Sequence, residues 1–250
     1  MPPTADRACA AELSSLRKSS LARSPIFDRS PLEKEFRQRI AIVRKLLDAT
    51  DSSPGAAGEM SPIDVSRETR GLSIVLLYAA YENLLKGISR TLLESAVQLR
   101  LGNRRLKPEF QVFAIHSKLR ALTDISATQI WKGSGRGVID ALLNEACSIN
   151  SNIFPNDGSH MKTAQVATLC EAYGLNPPGP LLQEAWGRIN TVVSERNSIT
   201  HGQRTPEEIG RNYSIGDLRN LVEIWERRWC EFLADVESKA STRDFYRDPR

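Results

Sequence analysis

The amino-acid sequence predicts an all-α fold: a helical bundle with a four-helix core and extra helices. Three observations carry the prediction. Apolar residues recur at helical spacing along most of the chain beyond residue 30. No stretch alternates convincingly at period two, and no segment repeats. Capping boxes, first-turn prolines and terminal glycines separate the periodic segments.

Residues 1–29 are small, basic and polar, and read as a flexible leader with a short helix over Ala8–Arg17. Ser30-Pro31-Leu32-Glu33 is a capping box with proline at the first helical position. It opens a helix whose stripe is Phe36, Ile40, Val43 and Leu47. Residues 51–64, rich in serine, proline and glycine, are a loop by composition, so 30–64 reads as an accessory helix and loop. A long periodic segment follows over 65–98, with Gly71 and Gly87 its only breakers. Ile74, Leu77, Tyr81, Leu84 and Ile88 cover one side of it; Val75, Tyr78, Glu82 and Leu85 cover an adjoining side. A helix apolar most of the way round is the expected centre of the bundle.

LGNRRLKPEF is a basic turn, and Pro108-Glu109 opens a shorter helix through Phe110, Phe113, Ile115 and Leu119. TDISATQIWKGSGRG reads as loop or weak strand, and VIDALLNEACSIN as a helix. Ser159 is a candidate cap for HMKTAQVATLCEAYG, which Gly174 stops. Beyond NPPGP a helix runs from Leu181 to Thr200 on the stripe Leu182, Trp186, Ile189 and Val193. QRTPEEIGRNY, 203–213, reads as an exposed loop. Ser214-Ile-Gly-Asp217 is another capping box, and the final helix uses Leu218, Val222, Trp225, Trp229 and Phe232. The tail, 240–250, looks frayed. The main domain is therefore placed at 65–239, with 99–180 a helical elaboration on its core.

Composition bounds the function. The 250 residues suffice for one large core. A net charge of +4 permits a nucleic-acid partner without demanding one. Cys9, Cys147, Cys170 and Cys230 are scattered and read as free thiols in a reducing cytoplasm. The run GLSIVLLYAAY ends at Glu82, well short of the roughly 20 residues a membrane span needs, so no membrane association is expected. Three distant histidines with no clustered Asp or Cys argue against a metal site. No cofactor motif is present either; WKGSGRG lacks the order of a phosphate loop.

SERNSITHG, 194–202, carries the most chemistry. One reading is an ordinary helix end, with basic side chains on the dipole and Gly202 as terminator. The other is a phosphate-handling site. Arg196 stands where the stripe calls for an apolar residue, so its charge needs a partner, and Glu82 is the candidate. Asn197 and His201 share a helix face. Arg196 and His201 point about 140° apart and sit about 7.5 Å apart along the axis, close enough for long side chains to converge on one phosphate. Histidine can take a proton from a 2′-hydroxyl or give one to the leaving 5′-oxygen. Arginine offers a fork of donors to the developing negative charge. Asparagine can position the phosphate or hold the imidazole tautomer, and Tyr78, one turn before Glu82, could donate to a phosphate or simply pack in the core.

Two stretches, LSIVLLYAAYENLLKGI (72–88) and WGRINTVVSERNSITHG (186–202), resemble the HEPN superfamily, and most nearly its MAE_28990/MAE_18760-like branch. The first is similar to the branch's first core helix, and the second carries the superfamily's Arg-x4–6-His motif as Arg-Asn-x3-His. The resemblance implies a helical bundle acting as a metal-independent endoribonuclease without cofactors. It places the catalytic arginine on Arg196, its polar neighbour on Asn197, the catalytic histidine on His201 and the first-helix glutamate on Glu82. It also implies a homodimer, and a role in a toxin–antitoxin or anti-phage module with a partner protein. The product would be a 2′,3′-cyclic phosphate.

Arg104, Arg105 and Lys107, beside Arg100, and Lys132, beside Arg136, could lie along an RNA backbone or be plain solvated surface. Trp131 could stack on a base. His116 and His160 read as structural or exposed. The alternatives are an RNA-binding module without catalysis, and a helical adaptor or antitoxin-like protein using the Trp225/Trp229 helix as its interface.

Overall fold

The structure, a computed structural model, describes residues 27–51, 62–98, 100–155 and 161–247. The helix expected at Ala8–Arg17, most of the 51–64 loop, Ser159, His160 and Cys9 lie outside the described residues. The described backbone is helical apart from turns and two isolated bridges, Gly102 with Ala146 and Leu106 with Tyr246. The fold is all-α, as the periodicity predicts.

Four helices make the core: α1 (Ser30–Asp51), α2 (Pro62–Val97), α8 (Trp186–Thr200) and α10 (Ile215–Ser241). The other three pack along α2. The expected stripes are all buried on α1 (Phe36, Ile40, Val43, Leu47) and on α2 (Ile74, Leu77, Tyr81, Leu84, Ile88). At about 25 cal/mol per Å² of apolar surface, each such side chain contributes roughly 1.5–3 kcal/mol. α1 thus packs its whole stripe into this core. Glu226 of α10, 9% exposed, ties it down by accepting from Arg37 at 2.7 Å and pairing with Arg44. The start of α1 differs from the expected box: Asp28 Oδ1 accepts from Ser30 N at 2.9 Å, and Glu33 instead pairs with Arg37. The box at Ser214 forms as expected, with Ser214 Oγ and Asp217 N 3.0 Å apart.

The elaboration sits toward the C-terminal end of α2. Its helices are α3 (Pro108–Ala114), α4 (His116–Arg120), α5 (Gly135–Asn144), α6 (Thr163–Ala172) and α7 (Pro178–Leu182). The single helix expected from Pro108 breaks at Ile115, whose ψ of 10 turns the chain out of the helical track. Of TDISATQIWKGSGRG, residues 123–126 are turn, as a loop reading expects, and the rest is helical. Ser126 starts a helical turn at Ala127–Gln129, which widens over Ile130–Ser134 and feeds α5. An aromatic cluster holds this region: Phe113 stacks on Tyr173 at 4.8 Å, and Phe110 meets Phe245 edge-on at 4.8 Å. The Tyr173 hydroxyl and Ser89 Oγ of α2 are 2.5 Å apart.

The tail does not fray through residue 247. Phe245 and Tyr246 are buried, Phe245 O accepts from Lys107 N at 2.8 Å, and Arg247 N donates to Arg105 O at 2.9 Å. The Tyr246 hydroxyl donates to the Ala96 carbonyl at the end of α2. Tyr246→Phe should therefore lower unfolding free energy by about 1 kcal/mol, read as a shifted urea midpoint at unchanged m.

Candidate active site at the end of α8

Ile189 and Val193 carry the α8 stripe into the core, and Arg196 occupies its next position half-buried. Its guanidinium lies over the Tyr78 ring, 4.4 Å from the centroid. Nη1 donates to Asn197 Oδ1 at 2.9 Å. A guanidinium stacked on an aromatic face keeps its N–H edge available while its flat face is desolvated. The charge on the buried stripe thus finds its partner in a ring. Glu82, the partner expected from the sequence, pairs with Lys86 at 3.1 Å instead.

Tyr78 is itself fixed. Its ring meets Tyr81 edge-on at 5.2 Å, Tyr81 stacks on Trp229 at 5.4 Å, and Trp225 meets Tyr81 edge-on at 5.5 Å. Trp225 and Trp229 are fully buried, so they support the site from behind. The Tyr81 hydroxyl donates to the Met161 carbonyl, which brings the start of the α6 segment against the same face of α2. Burial pushes the Tyr78 phenol above its ordinary value; the Glu82 charge adds to this and the Arg196 charge opposes it. Tyr78 is therefore a neutral group at physiological pH, and its hydroxyl is close enough to feel both charges. The supporting aromatic cluster was not singled out from the sequence. The signal was there: Tyr81 and Trp225 sit on the predicted core stripes.

His201 is the C-cap of α8, exposed, with its N–H on the Asn197 carbonyl at 2.9 Å. The helix then closes as a Schellman turn. Gln203 N donates to Ser198 O at 2.9 Å, Gly202 N donates to Ile199 O at 3.1 Å, and Gly202 has φ +66. Space around Gly202 is open, so a side chain there meets no neighbour, only the left-handed backbone penalty. Gly202→Ala should cost about 1 kcal/mol in thermal or urea unfolding. A larger loss would point to contacts that the turn does not make.

The loop expected over 203–213 holds a helix. Thr205 caps α9 (Pro206–Gly210) with a reciprocal box to Glu208, 3.2 and 2.7 Å. α9 lies directly on the N-terminal half of α2. A Cβ on Gly71 would meet Pro206 O at 2.0 Å, and one on Gly210 would meet Arg67 O at 1.8 Å. Gly71 is a contact point, not a breaker. Arg70 donates to the Tyr213 carbonyl, and the Tyr213 hydroxyl donates to Glu195 Oε2 at 2.6 Å. The chain leaving His201 is therefore anchored on α2 from Pro206 onward and on α8 through Tyr213. Burial raises the Glu195 carboxyl above its usual range, against the Tyr213 bond that lowers it.

The structure thus gathers Tyr78, Glu82, Arg196 and Asn197 at one α2–α8 crossing, with His201 at the end of the same helix. It does not bring the predicted backbone contacts there. Arg104 and Arg105 follow the end of α2, about 28 Å along that helix from Tyr78. Lys132 is exposed in the wide turn before α5, and Lys107 is tied to Asp244. Cys147, Cys170 and Cys230 are buried free thiols, and burial pushes Cys170 up to about 12. Among the described residues no cluster of His, Cys, Asp and Glu could hold a metal ion, and no helix is long and apolar enough to cross a membrane.

A family model described as RiboL-PSP-HEPN matches residues 34–225, a span that begins in α1 and includes every residue of the Tyr78–Arg196–His201 arrangement. No curated protein and no solved structure matches the chain.

Proposed function

Because the chain belongs to the RiboL-PSP-HEPN family, within the superfamily its sequence resembles, we propose that it is a metal-independent endoribonuclease. The observation that carries the reading is Arg196 clamped over Tyr78, with His201 exposed at the end of the same helix. Arg196 presents a pre-oriented fork to the non-bridging phosphate oxygens and stabilises the charge that grows on them. Asn197 braces that fork. His201 moves the proton, either from the 2′-hydroxyl or to the 5′-oxygen. The 2′-oxygen attacks the adjacent phosphorus and the P–O5′ bond breaks. The products are a 2′,3′-cyclic phosphate and a 5′-hydroxyl. DNA, lacking the nucleophile, is refused.

One chain holds one such pair. A homodimer placing two helix ends across one cleft would let the arginine of one copy and the histidine of the other share a phosphate. A role as the effector of a toxin–antitoxin or anti-phage module, with an inhibitory partner, belongs to the same proposal, as does placement in the MAE-like branch. Incubation of the purified chain with total RNA in EDTA tests the reading. Fragmentation with cyclic-phosphate ends supports it, and intact RNA over a wide range of enzyme concentration counts against it.

The second reading, an RNA-binding module without catalysis, is favoured by the exposed cations between residues 100 and 136. It predicts binding without cleavage, and graded loss as basic residues are removed.

A further inference from the structure

The chain's positive excess is not spread evenly. Residues 100–155 hold eight Lys or Arg and four Asp or Glu, an excess that equals the +4 of the whole chain. The pairing differs as well. On α1, Arg37, Arg39 and Arg44 are matched to carboxylates. In the elaboration, Arg104, Arg105, Arg120 and Arg136 have no ion-pair partner among the described residues.

A cleft of about 570 Å³ opens in this segment between α4 and the stretch of chain before α6. His116 and Arg120, one helical turn apart, line one wall, and Asn150 and Asn152 line the other. Among the described residues no carboxylate lines it. Its apolar floor includes Phe113 and Ile149, and the Phe113 ring is held by its stack on Tyr173. Asn150 Oδ1 already accepts from Asn152 N at 3.0 Å, which orients that amide with its N–H donors still to be used. A guanidinium and an imidazole on one wall, amides on the other and a fixed apolar floor match the three parts of a nucleotide: phosphate, base edge and base face.

We propose that this cleft docks one nucleotide of a single-stranded RNA, with Arg120 and His116 on a phosphate and the two asparagines on a base edge. The inference rests on the ribonuclease reading and adds a second grip on the same substrate. The cleft is fastened to α2 at Ser89, through Tyr173 and the Ile153 carbonyl. Ser89 lies about 16 Å along α2 from Tyr78, a span that a few nucleotides of single strand can cover. The docked nucleotide would then set which bond reaches His201.

The test is fluorescence anisotropy with a labelled single-stranded RNA, on the full chain carrying His201→Ala so that the RNA survives, in EDTA. Adding Arg120→Glu with His116→Ala should weaken binding at least tenfold and flatten the salt dependence by about 0.7 per lost phosphate contact. Asn150→Ala with Asn152→Ala, a gentler change on an exposed segment, should weaken it severalfold. Lys34→Ala with Lys45→Ala on α1 should leave it unchanged. Affinity within twofold of the parent for both cleft variants overturns the proposal. So does a parent that binds no RNA, or a mononucleotide that competes as well as the strand. Cleavage by the wild-type chain in EDTA is read separately. If it occurs while the cleft variants keep full affinity, only the docking site is lost; if it is absent, the ribonuclease reading fails.

Discussion

Alanine at Gly210 or at Gly71 is expected to lower the unfolding free energy by about 3 kcal/mol, near the upper end of overpacking costs. For a chain of this size that is a fall in Tm of roughly 6–12 °C. The reason is steric and one-sided. The new methyl carbon would sit 1.8 Å from Arg67 O or 2.0 Å from Pro206 O, both main-chain atoms of packed helices that have no rotamer to change. Relief requires α9 to lift from α2. That movement would also loosen the anchor of the chain leaving His201, so RNA cleavage should fall along with stability. Gly187→Ala is the control: it sits in α8 with nothing within 4 Å of the added carbon. Replacing a first-turn glycine of ordinary helical φ there should stabilise by about 0.4–1 kcal/mol. Equal, small effects at Gly71, Gly210 and Gly187 would mean that α9 is not packed as described.

His201→Ala should lower RNA cleavage by about 10²–10⁴-fold, the usual worth of a general acid or base. Its side chain is exposed at a helix end, so thermal stability should hardly move. Arg196→Ala should lower cleavage by about 10²–10³-fold, as loss of a preorganised donor to developing charge does. Here stability should also fall, by about 1 kcal/mol, because the Tyr78 face loses the cation stacked on it. Arg196→Lys separates charge from geometry. The ammonium keeps the charge but loses both the fork and the flat stack, so cleavage should recover only in part. Assays at saturating RNA place these losses in kcat. A loss that appeared only in KM would assign both residues to binding.

The four-helix core was legible because burial imposes a period that survives in the letters: the stripes read on α1 and α10 and the Ile74–Ile88 stripe of α2 are buried, as are Ile189 and Val193 of α8, while Trp186 is only partly buried and Leu182 falls in α7, before a break at Gln183. Arg196 was legible for the same reason, as a charge where the α8 stripe demanded a packed side chain. Its partner was not. Tyr78 and Glu82 are one turn apart on one face of α2, and a pattern of letters does not distinguish a carboxylate from a ring as the place where a guanidinium rests. α9 was missed because TPEEIG is short and framed by turn residues, and because its packing depends on Gly71, far away in sequence. The tail was missed because two aromatic residues, Phe245 and Tyr246, stand in an otherwise polar string. Their burial depends on a groove made by the end of α2 and the 103–107 turn. In each case a local signal was outweighed by a long-range contact that one sequence does not display.

The central claim is that an imidazole and a guanidinium from the end of α8 act on a phosphodiester whose nucleophile is its own 2′-hydroxyl. The most direct measurement uses a DNA strand containing a single ribonucleotide at a mapped cleavage site, in EDTA, under single-turnover conditions. The wild-type chain should cut only on the 3′ side of that ribose and leave a 2′,3′-cyclic phosphate, and the His201→Ala chain should leave the strand intact. Cleavage at deoxynucleotides, or equal cleavage by the two chains, would contradict the account.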